Sequence, residues 1–239
     1  MIELFEELAS TSGTLLERLA AGVAVPEGHW IIANRQTSGR GRRGRTWSDG
    51  RGNFMGSTFV ASHAGDPPLG TLSLAIGLAV REAVLKQIPG APAVMLKWPN
   101  DLLVDGAKLS GILLEGSAGG VVVGIGVNLA VAPDLPDRPT TSVTQLGGSP
   151  DRDRFARDLA TAVDQEVARW RTFGLEPLIS RWTAAAHPLG TPLRAGEGGS
   201  DVIAGTFAGL TPDGALQLRL ADGSLRAIHA GEINLSNRS

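Results

Sequence analysis

Cysteine is missing from all 239 residues. That one absence removes disulfides, cysteine–zinc centres and any enzyme-bound thioester. Lysine is nearly missing too. Of 22 basic side chains only Lys86, Lys97 and Lys108 are lysines, the rest being arginines. A chain that prefers arginine so strongly, yet keeps lysine at 97 and 108, directs attention to those two positions. No apolar run approaches the roughly 18 residues of a membrane span. The acidic start, Met1 to Glu7, lacks the basic head and apolar stretch of a signal peptide. The expectation is a cytoplasmic protein with no membrane partner. The net charge of −2 is not the global basicity of a nucleic-acid binder. No Gly-Lys pair exists, hence no phosphate loop of the Gly-x-x-x-x-Gly-Lys kind, and no Gly-x-Ser-x-Gly nucleophile elbow occurs. His29, His63, His187 and His229 are scattered without metal-ligand spacing.

What remains is an ordinary globular composition, 42% hydrophobic and 19% charged, long enough for one or two domains. Ser10-Thr11-Ser12 can cap a helix carrying Leu15, Leu16 and Leu19. Trp30 to Ala33 and Phe54 to Ala61 read as strands. Between them, residues 35–53 form a long loop nearly free of apolar side chains. A helix follows Pro67-Pro68 and ends before Pro89. Four strands, 94–98, 102–104, 109–115 and 121–127, are separated by the hairpin signals Asp105-Gly106 and Gly119-Gly120. Phe155, Leu159, Val163, Val167 and Trp170 mark a helix, and Leu175 to Ala186 a second one stopped by Pro188. Short strands at 191–194, 203–207, 215–220 and 224–228 then suggest a small β-barrel-like module. Its turn signals are Gly196 to Gly199, Pro212 to Gly214 and Asp222-Gly223.

Three stretches carry chemistry. Gln36 to Trp47 holds Arg40, Arg42, Arg43 and Arg45 interleaved with glycine, so the backbone can approach a ligand while guanidinium groups grip an anion. A solvated basic loop or an RNA-binding arginine–glycine tract has the same composition, but such tracts normally sit in tails, not between two strands. In Lys97-Trp98-Pro99-Asn100-Asp101, alternation sends Lys97 and Pro99 to one face and Trp98 to the other. Pro99 ends the ladder and leaves Asn100 and Asp101 at a strand terminus. The Asp105-Gly106 turn returns Lys108 to the same end, before Ser110-Gly111. A surface hairpin with solvated lysines is the plainer reading. In Gly124-Ile125-Gly126-Val127-Asn128, two glycines on one face of an apolar strand leave room for a flat ligand. Phosphate-gripping groups without a covalent nucleophile suit an enzyme that binds a nucleotide and lets its substrate attack.

Taken in this order, the three stretches resemble biotin protein ligases, in the form without an N-terminal DNA-binding domain. The likeness extends over most of residues 8–185, and the β module fits the family's architecture. It implies an α+β fold: a mixed sheet with helices on one face, of the class II aminoacyl-tRNA synthetase kind, then an SH3-like barrel. The implied domains are 1–187, catalytic, and 188–239. The implied reaction makes biotinyl-5'-AMP from biotin and ATP with Mg²⁺, then passes biotin to a lysine of a carboxyl carrier protein. Ser10, Thr11, Gln36, Gly39 and Arg40 would bind the ureido end of biotin, and Gly111 and Gly124 would line its pocket. Arg42 and Arg45 would hold phosphates under Trp47. Lys108 would touch both the carboxylate and the α-phosphate. Lys97, Asn100 and Asn128 would meet the nucleotide, Asn128 also its Mg²⁺, and Asp101 the acceptor lysine. The family continues Ser-Thr with Asn where this chain has Ser12. With about ten residues ahead of Ser10, repression through DNA is not expected; monomer and homodimer both remain open. A lipoate-type ligase and a non-catalytic effector or nucleic-acid binder are the alternatives.

Overall fold

The computed structural model describes residues 1–88, 90, 93–196 and 202–235. Its first part runs β1 (Ile2–Leu8), α1 (Thr11–Ala20), β2 (Trp30–Gln36), β3 (Phe54–Ala61), α2 (Leu72–Leu85), β4 (Val94–Lys97), β5 (Asp101–Val104), β6 (Ala107–Ser117) and β7 (Gly120–Val127). Two helices follow, α3 (Arg152–Phe173) and α4 (Leu175–Ala185). The chain then forms β8 (Pro192–Ala195), β9 (Ile203–Leu210), β10 (Leu216–Arg219), β11 (Leu225–Ile228) and β12 (Ile233–Leu235). Pro89 and residues 197–199 of the expected turn lie outside the described residues.

The first seven strands make one mixed sheet in the order β1-β2-β3-β7-β6-β5-β4, with β1–β2 parallel and every other pair antiparallel. Its two faces are assigned by the period-2 alternation of β7. Val121, Val123, Ile125 and Val127 join the main core, which also takes in α2, α3 and α4. Val122 points the other way, where α1 lays Leu15 against it, Ile31 and Phe59. Three helices thus cover one face as expected. The fourth lies on the opposite face and shields only part of it, so the remainder is free to be a site. The Asp105-Gly106 turn between β5 and β6 has both residues at positive φ, 49° and 80°, as a tight hairpin requires.

Two strands escaped the sequence reading. β1 is an edge strand carrying Glu3, Glu6 and Glu7, and acidic residues are tolerated there because only one side is paired. Glu3 meets Arg18 and His29, and Glu7 meets Arg35. β12 is three residues long and pairs with β8. The last five strands form an antiparallel sheet, β11-β10-β9-β8-β12. Leu193, Phe207, Leu216, Leu218 and Ile233 belong to the same continuous core as the helices. Trp98 Nε1 donates to the Gly214 carbonyl at 3.2 Å, tying the small sheet to the end of β4.

Phe155 sits where α3 meets the sheet, fully buried and edge-on to Phe54 at 5.4 Å. Phe155→Ala should lower unfolding free energy by about 3–5 kcal/mol, the cost of an aromatic deletion that leaves a cavity. Urea titration checks this; a loss under about 1 kcal/mol would mean α3 is not anchored there.

Candidate functional site

The uncovered part of the sheet face holds a cavity of about 260 Å³. Its floor is the side of β6 and β7 opposite the main core, where Gly111, Gly124 and Gly126 replace side chains. A Cβ on Gly126 would overlap the Trp47 indole, and one on Gly111 would come within 3.1 Å of it. One on Gly124 would collide with Ser12 Oγ. The glycines are therefore a fitted surface. Trp47 lies over them, and the Lys108 ammonium sits 5.8 Å from the indole centroid.

One end of the cavity is polar and uncharged. Ser10 caps α1, its Oγ accepting from Gly13 N. That cap places Thr11 and Ser12 on the first turn, facing β2 and β3. Gln36 Oε1 accepts from Thr11 N at 2.7 Å and from Thr11 Oγ1 at 3.0 Å. Ser57 Oγ lies 2.7 Å from Thr11 Oγ1 and 2.9 Å from Ser12 Oγ. All of these side chains are buried, so their mutual hydrogen bonds offset the loss of water. Ser12 is thus a working member of this cluster.

The opposite end is charged. Lys108 Nζ is 2.7 Å from Asp101 Oδ1, a pair brought together by the β5–β6 hairpin. Lys97, at the end of β4, is buried and has no ion-pair partner among the described residues. Burial pulls its pKa below the usual lysine value, against the opposing charge of Asp101. Asn100 Nδ2 donates to the Ile112 carbonyl at 2.6 Å, and Asn100 Oδ1 accepts from Arg42 Nη1 at 2.9 Å. Arg42 Nη2 also donates to the Gly231 carbonyl. Burial lowers the Arg42 pKa, with Asp101 and Glu232 resisting the shift. Arg45 meets Glu232 at 3.0 Å. Asn128 Nδ2 donates to the Thr141 carbonyl and, at 3.4 Å, to that of Lys108, holding the following loop to β6.

Of the residues singled out for the site from sequence, all but Gly39 and Arg43 line this cavity. Gly39 instead packs beneath Trp47 and Gln36, and its carbonyl accepts from Trp47 N at 3.0 Å. Arg40 lines the rim and is exposed, paired with Glu115 at 3.0 Å. Among the lining residues that went unread are Ser57, Arg138 and Glu232. Ser57 could have been found from its place on the buried strand β3, where a polar side chain needs partners. Arg138 and Glu232 have no local signal, because their partners are remote in sequence.

A family model described as Biotin/lipoate A/B protein ligase family matches residues 7–131, and one described as Biotin protein ligase C terminal domain matches residues 189–236. The chain is similar to a biotin–[acetyl-CoA-carboxylase] ligase of Paracoccus denitrificans, 37% identical over 223 residues, covering 89% of this chain and 92% of that protein. It is similar to the ligase of the same description from Mycobacterium tuberculosis, 36% identical over 239 residues, covering 97% and 88%. Among solved structures, the biotin protein ligase of Aquifex aeolicus in complex with biotin and ATP superposes with a TM-score of 0.85. It is 25% identical and covers 98% of this chain and 99% of that one.

The fit of Trp47 over glycine gives a local test. Gly126→Ala should lift the 39–47 segment at a cost of about 1–3 kcal/mol, raising its amide exchange by roughly tenfold while the α3 core keeps its protection. Unchanged exchange in that segment would show that the indole does not rest on β7.

Proposed function

The chain belongs to the biotin/lipoate A/B protein ligase family, and from that premise we propose that this cavity joins biotin to a carrier protein at the expense of ATP. It forms biotinyl-5'-AMP and then transfers biotin to a lysine of a biotin carboxyl carrier domain. The observation that carries this reading is the division of the cavity. An uncharged hydrogen-bonding end and a cationic end are joined by a flat glycine floor, with Lys108 between them. A neutral bicyclic urea and a polyphosphate require opposite environments, and one long pocket offers both.

In this reading Ser10, Thr11 and Gln36 hold the ureido end, with Gly39 and Arg40 closing over it, while Gly111 and Gly124 bound the ring. Arg42 and Arg45, with Lys97, Asn100 and Asn128, receive the nucleotide beneath Trp47. The biotin carboxylate attacks the α-phosphorus, and the bond to the pyrophosphate oxygen breaks. Lys108 supplies positive charge where carboxylate and phosphate meet, in a site sheltered from water. As Lys108 turns to that charge it leaves Asp101, whose carboxylate then accepts a hydrogen bond from the incoming amine. The amine attacks the acyl carbon and AMP departs. The cysteine-free sequence agrees with direct transfer.

Among the described residues no three histidine, aspartate or glutamate side chains converge as metal ligands. Asp101 is engaged with Lys108, and the Asn128 amide with backbone carbonyls. Mg²⁺ would enter chelated by the nucleotide phosphates, as this ion usually does. We assign residues 1–187 to the catalytic domain and 188–239 to a second, SH3-like one, and we place the reaction in the cytoplasm. No helix among the described residues is long and apolar enough to cross a membrane.

Biotin-dependent exchange of pyrophosphate into ATP tests substrate and reaction class together. Exchange that responds to lipoate and not to biotin would assign the pocket to the other branch of the family. Lys108→Ala should reduce adenylate formation by about two orders of magnitude or more, the scale of losing one preorganised stabiliser. Near-normal exchange in that variant would remove Lys108 from the chemical step.

Arg42 behaves differently. It straps the arginine loop to Asn100 and to the Gly231 carbonyl, so Arg42→Gly loses charge-assisted contacts and adds backbone freedom. The adenylate should still form but escape faster, labelling lysines of an unrelated protein such as albumin while carrier-specific transfer falls. Unchanged adenylate release would mean that Arg42 is no latch; abolished synthesis would place it in the chemistry itself.

A further inference from the structure

Three segments far apart in sequence meet over the charged end of the cavity. They are the arginine loop, the 133–140 loop and the turn before β12. Their meeting point is one carboxylate. Glu232 lies 3.0 Å from Arg45 and 3.2 Å from Arg138. Burial by itself would raise the Glu232 pKa, but the hydrogen bond and charge of Arg45, with Arg138 and Lys97, hold it below the usual carboxylate range. It is a fully ionised anion seated between two guanidinium groups. Such a fork is the arrangement in which arginines grip phosphate oxygens.

Arg138 is built to stay where it is. Pro133, Pro136 and Pro139 fix φ at three points of its loop, so little backbone freedom is lost in ordering it. The loop is pinned at its end, where Thr141 N donates to the Lys108 carbonyl and Lys108 N donates to Pro139. Asp137 hydrogen-bonds the Arg138 guanidinium and raises its pKa. The whole cavity is lined by six cationic side chains and three carboxylates, so it retains an excess of positive charge with Glu232 in place.

We propose that Arg138 and Arg45 form a clamp for the pyrophosphate portion of the nucleotide, and that Glu232 occupies this clamp as an internal anion until the phosphates displace it. The proposal rests on the reaction given above and adds to it a residue from outside the arginine loop. On arrival of the triphosphate, the β- and γ-phosphate oxygens take the N–H donors that Glu232 now uses. When the α-phosphorus bond breaks, pyrophosphate remains on Arg45 and Arg138 until it leaves, and Glu232 returns. The carboxylate thereby keeps the clamp assembled when empty and competes with pyrophosphate for it.

Pyrophosphate exchange reads the clamp directly. Arg138→Ala should raise the KM for pyrophosphate and for ATP by roughly tenfold or more, the scale of one charge-assisted contact. Arg138→Lys should recover part of that loss. Biotin affinity, and transfer from preformed biotinyl-adenylate to the carrier, should stay at wild-type levels, because neither uses the clamp. Glu232→Gln should lower the KM for pyrophosphate by removing the competitor. Unchanged KM values in Arg138→Ala, or an equal loss of transfer from preformed adenylate, would overturn the clamp. A pyrophosphate KM that rises in Glu232→Gln would overturn the role of Glu232 as a stand-in. Calorimetry with inorganic pyrophosphate alone separates this proposal from the reaction as a whole. A wild-type chain without biotin-dependent exchange would defeat the reaction, whereas equal pyrophosphate affinity in wild type and Arg138→Ala would defeat the clamp.

Discussion

The alternation of β7 is the constraint on which the rest of the molecule depends. One side of this strand is Val121, Val123, Ile125 and Val127, pressed into the helical layer. The other side is Gly120, Val122, Gly124 and Gly126, so the same eight residues build the core and clear the site. A shift of one residue in register would put valines into the cavity and glycines into the core. The register is secured on both sides, since β7 pairs along its whole length with β3 and with β6. The most hydrophobic part of the structure therefore positions its most polar part.

Electrostatics divide along the cavity in the same orderly way. At the α1 end, hydroxyls and an amide satisfy one another and carry no net charge. At the other end, cations outnumber carboxylates, and burial holds the pKa values of Lys97 and Arg42 below their ordinary ones. Charges kept in partly desolvated surroundings act on an incoming anion more strongly than they would in water. Lys108 stands at the boundary, paired with Asp101 across a hairpin of only a few residues.

Much of this was legible in the sequence, for a physical reason: the informative contacts were local or periodic. The Ser10 cap, the valine–glycine alternation of β7, the Asp105-Gly106 turn and the strand-ending Pro99 each announce themselves within a few residues. The 36–47 loop was readable because four arginines among glycines have few uses inside a folded domain. What stayed hidden depends on distant partners. β1 looks like an acidic tail until β2 is there to pair with it. Ser57 looks like an ordinary strand residue until Thr11 and Ser12 are beside it. Arg138 and Glu232 carry no periodic signal, and only the folded chain brings them to Arg45. Gly39 was read as a ligand contact, and its packing as the seat of Trp47 could not be seen from the sequence.

The contact between Arg42 and the Gly231 carbonyl spans 189 positions of a 239-residue chain. During synthesis, the α1 end of the cavity and its floor are complete long before the strap from Gly231 that holds the arginine loop down. A nascent chain therefore possesses a pocket whose cover still lacks its last fastening. Because domains fold as units while the C-terminus is still being made, the order of translation separates shaping the site from closing it. The turn before β12 supplies the last anchor: the arginine loop gains it only after residue 231 has been made.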